Sequence, residues 1–368
     1  MSTLARVVID ARMVGRVPHG FARYVIAMAR GLAELRAASP LGYEPLFLVR
    51  PGADPRAFEG FATHEVGVRF LNPAELAVLP WTLARLRAAL YHSPSFASLL
   101  YCPCPRIVTV HDLNHLRFGG LKEKVYYERI LKPFVRGARA VVTVSDFSAR
   151  ELARWAALEP HAIEVVPNAI LPSFFEAVST ASRDAVLARF GLTKGRYFFC
   201  LANEKQHKNL AMLTRAHRAY RERHVDGWSL ATNVRPGALP QHDGLRHLGS
   251  LTDDEVRALM VGAGAVVFPS LYEGFGLPPV EAACMGAPLV VSRIPPHREG
   301  LAELAPGEVL WVTPDDTDAW VDAFAQAAAG SVVGASTVTR ARLRERFSTR
   351  TLGASMDRIY RRVLDGRP

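Results

Sequence analysis

Residues 266–292 read VVFPSLYEGFGLPPVEAACMGAPLVVS: an apolar run, a glycine-rich loop, a proline-opened helical segment and a second apolar run. Short apolar, β-branched runs separated by a single helix are the pattern of parallel strands buried on both faces. Proline suits the first turn of a helix, where its missing N–H is not needed, and Gly286 suits the helix end. Gly274 and Gly276 let the backbone approach a ligand closely, and free N–H groups at the loop and helix start favour an anion such as a phosphate. Glu273 precedes the helix and Glu281 lies about one turn inside it. So separated, they do not share a proton and read as receivers of hydroxyl groups rather than as an acid/base pair.

The same alternation runs along the chain. Apolar runs stand at 6–10 (RVVID), 46–49 (LFLV), 106–110 (RIVTV), 140–144 (AVVTV), 197–202 (YFFCLA), 265–270 (AVVFPS) and 289–292 (LVVS). After the first run, Phe21, Tyr24, Val25, Met28, Leu32 and Leu35 fall on one face of a helix. The alternation restarts at Tyr197, after PNAILPSFFEAVST at 167–180, whose prolines and small polar residues suit a connection between domains. A chain of 368 residues also favours two domains. The expected fold is α/β, with two Rossmann-like doubly wound domains facing across a cleft. The expected boundaries are 1–175 and 176–345, with a C-terminal helix at 346–368 packing back toward the first domain. In such sheets ligands sit at the carboxyl ends of the strands, so function is sought in the loops after them.

Composition narrows the class. Apolar residues make up 49% and charged residues 22% of the chain, and no run of eighteen apolar residues occurs, which is globular composition without a membrane-spanning segment. The opening MSTLARVVIDAR is interrupted at Asp10 before a long apolar region forms, so it does not read as a secretory signal, and a cytoplasmic protein is expected. Four cysteines are too few for a disulfide framework, and Cys102 and Cys104 enclose one proline, a poor metal spacing. They read as core or incidental thiols. The net charge of +10 suits nucleic acid, an anionic membrane or a phosphorylated ligand. No nucleic-acid motif accompanies it, and stretches such as 340–346 (RARLRER) read as solvated helix faces.

Two further loops carry candidate chemistry. LANEKQHKNL at 201–210 follows a strand and precedes a helix, and its Lys205 and Lys208 can neutralise a diphosphate. In isolation such a pair is more often a solvated helix start. TVHDLNH at 109–115 ends a strand with His111; Asp112 either orients that ring or caps the turn, and His115 is unassigned. In the first loop Gly20, immediately before a helix, is a candidate for a contact to phosphate or acceptor, with Arg16 and His19 beside it as alternatives.

Residues 266–292 resemble the E-x7-E element of retaining GT-B glycosyltransferases of the large family 4 (glycosyl transferases group 1), bacterial mannosyltransferases among them. LANEKQHKNL resembles the family's G-N-x-K-x-H-K-N form, with Ala202 in place of the usual glycine, and TVHDLNH resembles its H-D segment. VGRVPHG at 14–20, YHSP at 91–94, VSDFS at 144–148 and PNAI at 167–170 are fainter echoes. The resemblance implies Glu273 at the transferred sugar and Glu281 on the ribose hydroxyls. It implies backbone contacts to sugar and phosphate at Phe275, Gly276 and Leu277, the donor diphosphate on Lys208 and Lys205, and His111 beside the donor sugar. The catalytic set is then His111, Glu273 and Lys208.

The implied activity is retaining hexosyl transfer from a nucleotide sugar, GDP-mannose first among donors, to a hydroxyl of a glycan or polyprenyl-linked acceptor. No nucleophile for a covalent intermediate is evident, which favours front-face substitution. The lysines take the place of a metal, so neither metal nor cofactor is expected. The alternatives are another GT-B enzyme, a phosphorylase or an epimerase, or a non-catalytic sugar-nucleotide binding subunit. The segments 78–91 and 121–139 read either as peripheral membrane-facing helices at the inner face of the membrane or as ordinary amphipathic core helices.

Overall fold

The computed structural model describes residues 4–15 and 20–366. The chain forms two compact units, Met1–Leu171 with Phe347–Pro368, and Pro172–Arg346.

The first unit holds a seven-stranded sheet of β1 (Ala5–Asp10), β2 (Tyr43–Val49), β3 (Ala62–Glu65), β4 (Leu90–Ser93), β5 (Arg106–Thr109), β6 (Ala140–Thr143) and β7 (Ile163–Val165). The strand order is β3-β2-β1-β4-β5-β6-β7, with every neighbouring pair parallel. The order reverses between β1 and β4, the switch point of a doubly wound sheet. Helix Gly20–Ala38 buries Tyr24, Val25, Met28 and Leu32, with Phe21 and Leu35 half-buried against the same core. The C-terminal helix Thr349–Leu364 packs on it and buries Leu352, Met356, Ile359 and Tyr360. The two helices cross at glycines: a Cβ on Gly31 would lie 2.0 Å from the Thr349 carbonyl oxygen, and one on Gly353 would lie 2.4 Å from the Gly31 carbonyl carbon. Only glycine permits so close an approach.

The two segments that read as membrane-facing or core are each partly buried and partly exposed. In helix Glu75–Arg85, Leu79 and Leu83 are buried and Trp81 is exposed. Over 121–136 a helix (Leu121–Tyr126), a wider turn (Tyr127–Leu131) and a second helix (Lys132–Arg136) bury Tyr127, Leu131, Phe134 and Val135 but expose Leu121 and Val125. Among the described residues no helix is long and apolar enough to cross a membrane.

The second unit holds a six-stranded parallel sheet of β8 (Tyr197–Cys200), β9 (Ser229–Thr232), β10 (Leu245–His247), β11 (Ala265–Phe268), β12 (Leu289–Ser292) and β13 (Val309–Val312), in the order β10-β9-β8-β11-β12-β13. Every residue of β8, β11 and β12 is buried, so these strands read as unbroken apolar runs. The switch point lies between β8 and β11, and the loops leaving it are 201–210 and 269–276. All four cysteines are free, with Cys200 and Cys284 in the core and Cys102 and Cys104 half-buried.

Candidate functional site

At the second switch point the two loops are tied to each other by the chain itself. The Asn209 side-chain amide donates to the carbonyls of Pro269 (3.3 Å) and Pro314 (2.7 Å), and the Leu271 N–H donates to the His207 carbonyl (2.8 Å). Asn209 adopts a left-handed backbone, φ 56°, which turns the chain from the short Gln206–Lys208 turn into helix Leu210–Arg223. Asparagine tolerates that region better than most residues. This bend carries Lys208 across to the other loop, where its Nζ donates to Glu273 Oε1 at 2.6 Å. Ser270 Oγ donates to the same oxygen at 2.7 Å. Lysine and glutamate are nine-tenths buried or nearly so, with side chains 14% and 13% exposed. Burial pushes the Glu273 carboxyl up, but the Lys208 charge, His297 and the two hydrogen bonds outweigh it, and the carboxyl sits below its ordinary value. The ion pair joins two residues 65 positions apart in sequence.

Glu273 does not cap the following helix. Gly276 occupies the cap position with φ 85° and no side-chain cap bond is made, so the glycine is required by its backbone conformation. In helix Leu277–Cys284, Pro278 and Pro279 carry no N–H, and the Val280 N–H turns back to the Gly276 carbonyl at 3.4 Å. That leaves Leu277 as the first-turn residue whose N–H has no acceptor within the helix. Glu281, the fifth helical residue, is only 2% exposed, and the Phe275 side chain is buried. Lys205 is exposed, at the start of the Gln206–Lys208 turn.

Beneath this loop lies a group that motif reading missed. His297, in helix Pro295–Gly300, is fully buried, and its Nδ1 lies 3.0 Å from the Ser292 carbonyl. Ser292 Oγ donates to the Ser270 carbonyl at 2.6 Å. Burial lowers the His297 ring below the ordinary histidine value, with Lys208 acting in the same direction and Glu273 and the Ser292 carbonyl opposing. No family spacing marks His297; the only local signal is the Pro-Pro pair ahead of it.

In the first unit the loop after β5 carries His111, which is buried with its Nε2 3.0 Å from the Pro94 carbonyl. Since a carbonyl only accepts, Nε2 holds the proton. The ring lies against Phe21 and Tyr24, with centroids 4.9 and 4.7 Å away. Burial lowers it to about 4, against a weaker opposing pull from the Pro94 carbonyl, so His111 is neutral at physiological pH. Asp112 Oδ1 accepts from the Asn114 N–H at 2.9 Å, the bond expected of a turn cap. His115 Nδ1 lies 3.0 Å from the Tyr127 hydroxyl, on the wall of a cavity of about 410 Å³ shared with Leu71, Phe96, Tyr126 and Ile130. Gly20 opens helix Gly20–Ala38 with nothing within 4 Å of a Cβ placed on it, so packing does not demand glycine there. Arg16 and His19 lie outside the described residues. Among the described residues no group of three or more histidine, cysteine, aspartate or glutamate side chains is placed to hold a metal ion.

The family profile "Glycosyltransferase Family 4" matches residues 18–174 and "Glycosyl transferases group 1" matches 195–329. The O-antigen chain mannosyltransferase RfbU of Salmonella typhimurium is 27% identical over 225 residues, 59% of each chain. The O-antigen chain mannosyltransferase B of Escherichia coli is 29% identical over 270 residues, 68% of this chain and 67% of that one. The match thus spans 59% of the length of the first of these relatives and 67% of the second. Among solved structures, a glycosyltransferase from Rickettsia africae superposes with a TM-score of 0.70 at 12% identity, covering 99% of both chains. Anabaena Alr3699/HepE, solved with UDP and glucose, does so with a TM-score of 0.68 at 13% identity over 97% of this chain and 99% of that one. At such identities the superpositions speak for the fold alone. Profiles on both halves, two parallel α/β sheets and the E-x7-E loop at the second switch point lead to one assignment: the chain belongs to glycosyltransferase family 4, with the GT-B fold.

Proposed function

We propose that this chain transfers a hexose, with mannose from GDP-mannose the first candidate, from a nucleotide sugar to a hydroxyl of a glycan or polyprenyl-linked acceptor, with retention and without a metal. The observation that carries the reading is the Lys208–Glu273 pair beside the left-handed Gly276. It brings together, from two loops, a cation, a carboxylate and a helix-start N–H, the three groups a sugar diphosphate asks for. The mannosyltransferases among the relatives favour mannose.

In this reading Glu273 receives a hydroxyl of the transferred sugar, His111 lies beside that sugar, and Glu281 receives the ribose hydroxyls. The Lys208 ammonium has three N–H bonds; one is held by Glu273 and the others are free to meet the diphosphate, joined by Lys205 and the loop N–H groups of Phe275, Gly276 and Leu277. The acceptor oxygen bonds to the anomeric carbon on the face from which the diphosphate departs. The bond between that carbon and the phosphate oxygen breaks, and the departing oxygen takes the acceptor's proton. Negative charge grows on the diphosphate, where preorganised cations and N–H groups lower the barrier most. The same charges do the electrostatic part of a metal ion's work. Gly20 in the first loop is kept as the candidate contact to phosphate or acceptor. Exposed Trp81, Leu121 and Val125, with Lys122 and Lys124 beside the last two, support peripheral association with the cytoplasmic face of an anionic membrane.

The test is a panel of nucleotide sugars with nucleotide release and the anomeric configuration of the product as readouts. Release with one donor, unaffected by EDTA and giving a retained linkage, is expected. An inverted product, or activity abolished by EDTA and restored by magnesium, would overturn the mechanism; silence across the whole panel would favour a binding subunit. Glu281→Ala should weaken nucleoside diphosphate binding in calorimetric titration, whereas unchanged affinity removes it from the ribose.

A further inference from the structure

His297 is a buried titratable group next to the donor loop that the proposed chemistry does not use. Its tautomer is fixed by its neighbours. Nδ1 faces two oxygens of Ser292, the carbonyl at 3.0 Å and Oγ at 3.2 Å. The Ser292 hydroxyl proton is already directed at the Ser270 carbonyl, so toward the ring both oxygens are acceptors and Nδ1 carries the hydrogen. The neutral ring therefore presents a bare Nε2, and that atom has no hydrogen-bond partner among the described residues.

The bare edge lies against the loop. A Cβ on Gly276 would fall 2.8 Å from His297 Cδ2 and 3.3 Å from Nε2, so the ring fills the space a side chain would take. Three residues further along the same short helix, a Cβ on Gly300 would fall 3.0 Å from a Val280 methyl and 3.5 Å from the Phe275 carbonyl. Helix Pro295–Gly300 is thus pressed at two points against the loop and helix that carry Phe275, Gly276 and Leu277. From its other side the ring is linked by hydrogen bonds in series to the reactive carboxylate: Nδ1–H to the Ser292 carbonyl, Ser292 Oγ–H to the Ser270 carbonyl, and Ser270 Oγ–H to Glu273 Oε1.

We propose that His297 is a positioning residue of the donor site. Its ring edge sets the left-handed Gly276 and so the aim of the Leu277 N–H, while its Nδ1–H, through Ser292 and Ser270, sets the Glu273 carboxylate. The inference rests on the reading that Glu273 and this loop meet the donor sugar and diphosphate. It separates two functions of one side chain, a shape beneath the glycine and a hydrogen-bond donor to Ser292, and each can be removed alone. His297→Phe keeps a ring under Gly276 and loses the donor. His297→Asn keeps an N–H where Nδ1 stands and loses the ring edge.

The experiment pairs kinetics with amide hydrogen exchange over residues 272–280. His297→Phe is expected to lower kcat about tenfold, the scale of a misaligned reacting group, with donor KM and nucleoside diphosphate affinity within about twofold. In a Glu273→Gln background the same change should cost less than about threefold, because the two residues act in series. His297→Asn should recover part of kcat while amide exchange in the loop rises. Equal losses in both backgrounds, or wild-type kcat in His297→Phe, would overturn the proposal. A wild type that turns over no nucleotide sugar would instead count against the proposed function. The exchange measurement needs no turnover, and loop exchange at the wild-type rate in folded His297→Asn overturns the positioning role by itself.

Discussion

In the first unit the loop after β5 places a histidine between aromatic rings, whereas in the second the loop after β11 places a carboxylate against a lysine. Both loops leave parallel sheets of the same winding, and both side chains are largely withdrawn from water. The first unit resolves the cost of burying a titratable group by leaving it uncharged: His111 falls to about 4. The second keeps its charge and supplies a partner, and Glu273 falls below its ordinary value despite burial. One architecture thus carries a neutral, hydrogen-bonded histidine in one half and a charged carboxylate–lysine pair in the other.

The sharpest way to break that contrast is to remove the cation. Lys208→Ala leaves Glu273 buried without its partner and, in the proposed function, takes a donor from the leaving group. Turnover should fall by about 2–4 kcal/mol of transition-state stabilisation, read as nucleotide release at saturating donor. Wild-type turnover would mean that the charge in the second unit is structural. Acid should probe the neutral half. The His111 ring is depressed in the folded protein, so its contribution to stability is complete above its ordinary 6.5 and is lost as pH falls toward about 4. The loss amounts to about 3 kcal/mol, measured as the difference in urea unfolding between wild type and His111→Phe at pH 7 and pH 4. Parallel pH dependences in the two proteins would show that His111 is not the group responsible.

Smaller effects refine the picture. Gly353→Ala forces apart the glycine crossing in the first unit and should cost about 1–3 kcal/mol in thermal or urea unfolding, with the donor loop of the second unit unchanged in amide exchange. Lys205→Ala removes an exposed charge, whose interactions water screens, and should lower turnover by less than about 1 kcal/mol. A loss equal to that of Lys208→Ala would show that Lys205 swings into the charged wall once donor binds.

Much of this was readable in the sequence because the signals are local. The strands at 6–10, 106–110, 197–202 and 265–270 are apolar on both faces, and the glycines and prolines around Glu273 mark their own turn. Strands β3, β7 and β10 are short edge or near-edge strands with exposed or half-buried residues, so periodicity does not distinguish them from loop. The ion pair was hidden for another reason: Lys208 and Glu273 were each marked by motif, but their meeting depends on the backbone turn at Asn209 and on strand order. His297 depends on Ser292, Ser270 and Gly276 at once, a set of distant positions that only folding assembles. The same holds for Arg12, whose guanidinium is buried between Asp10 and Glu75 at the end of β1, in a stretch that reads as a polar loop.

Helix Thr349–Leu364 bears on the order in which the molecule is made. The first sheet is complete once Val165 has been synthesised, but the helix that covers the Tyr24, Met28 and Leu32 face of Gly20–Ala38 begins only at Thr349. Pro172–Arg346, by contrast, is one uninterrupted stretch. As the chain leaves the ribosome, the second unit therefore has every residue it needs before the first does, reversing the usual amino-terminal-first sequence of domain folding. Until the last turns emerge, the nascent first unit holds an uncovered apolar helix face, a surface on which a chaperone would bind and where a ribosome stalled short of residue 349 would leave an aggregation-prone intermediate.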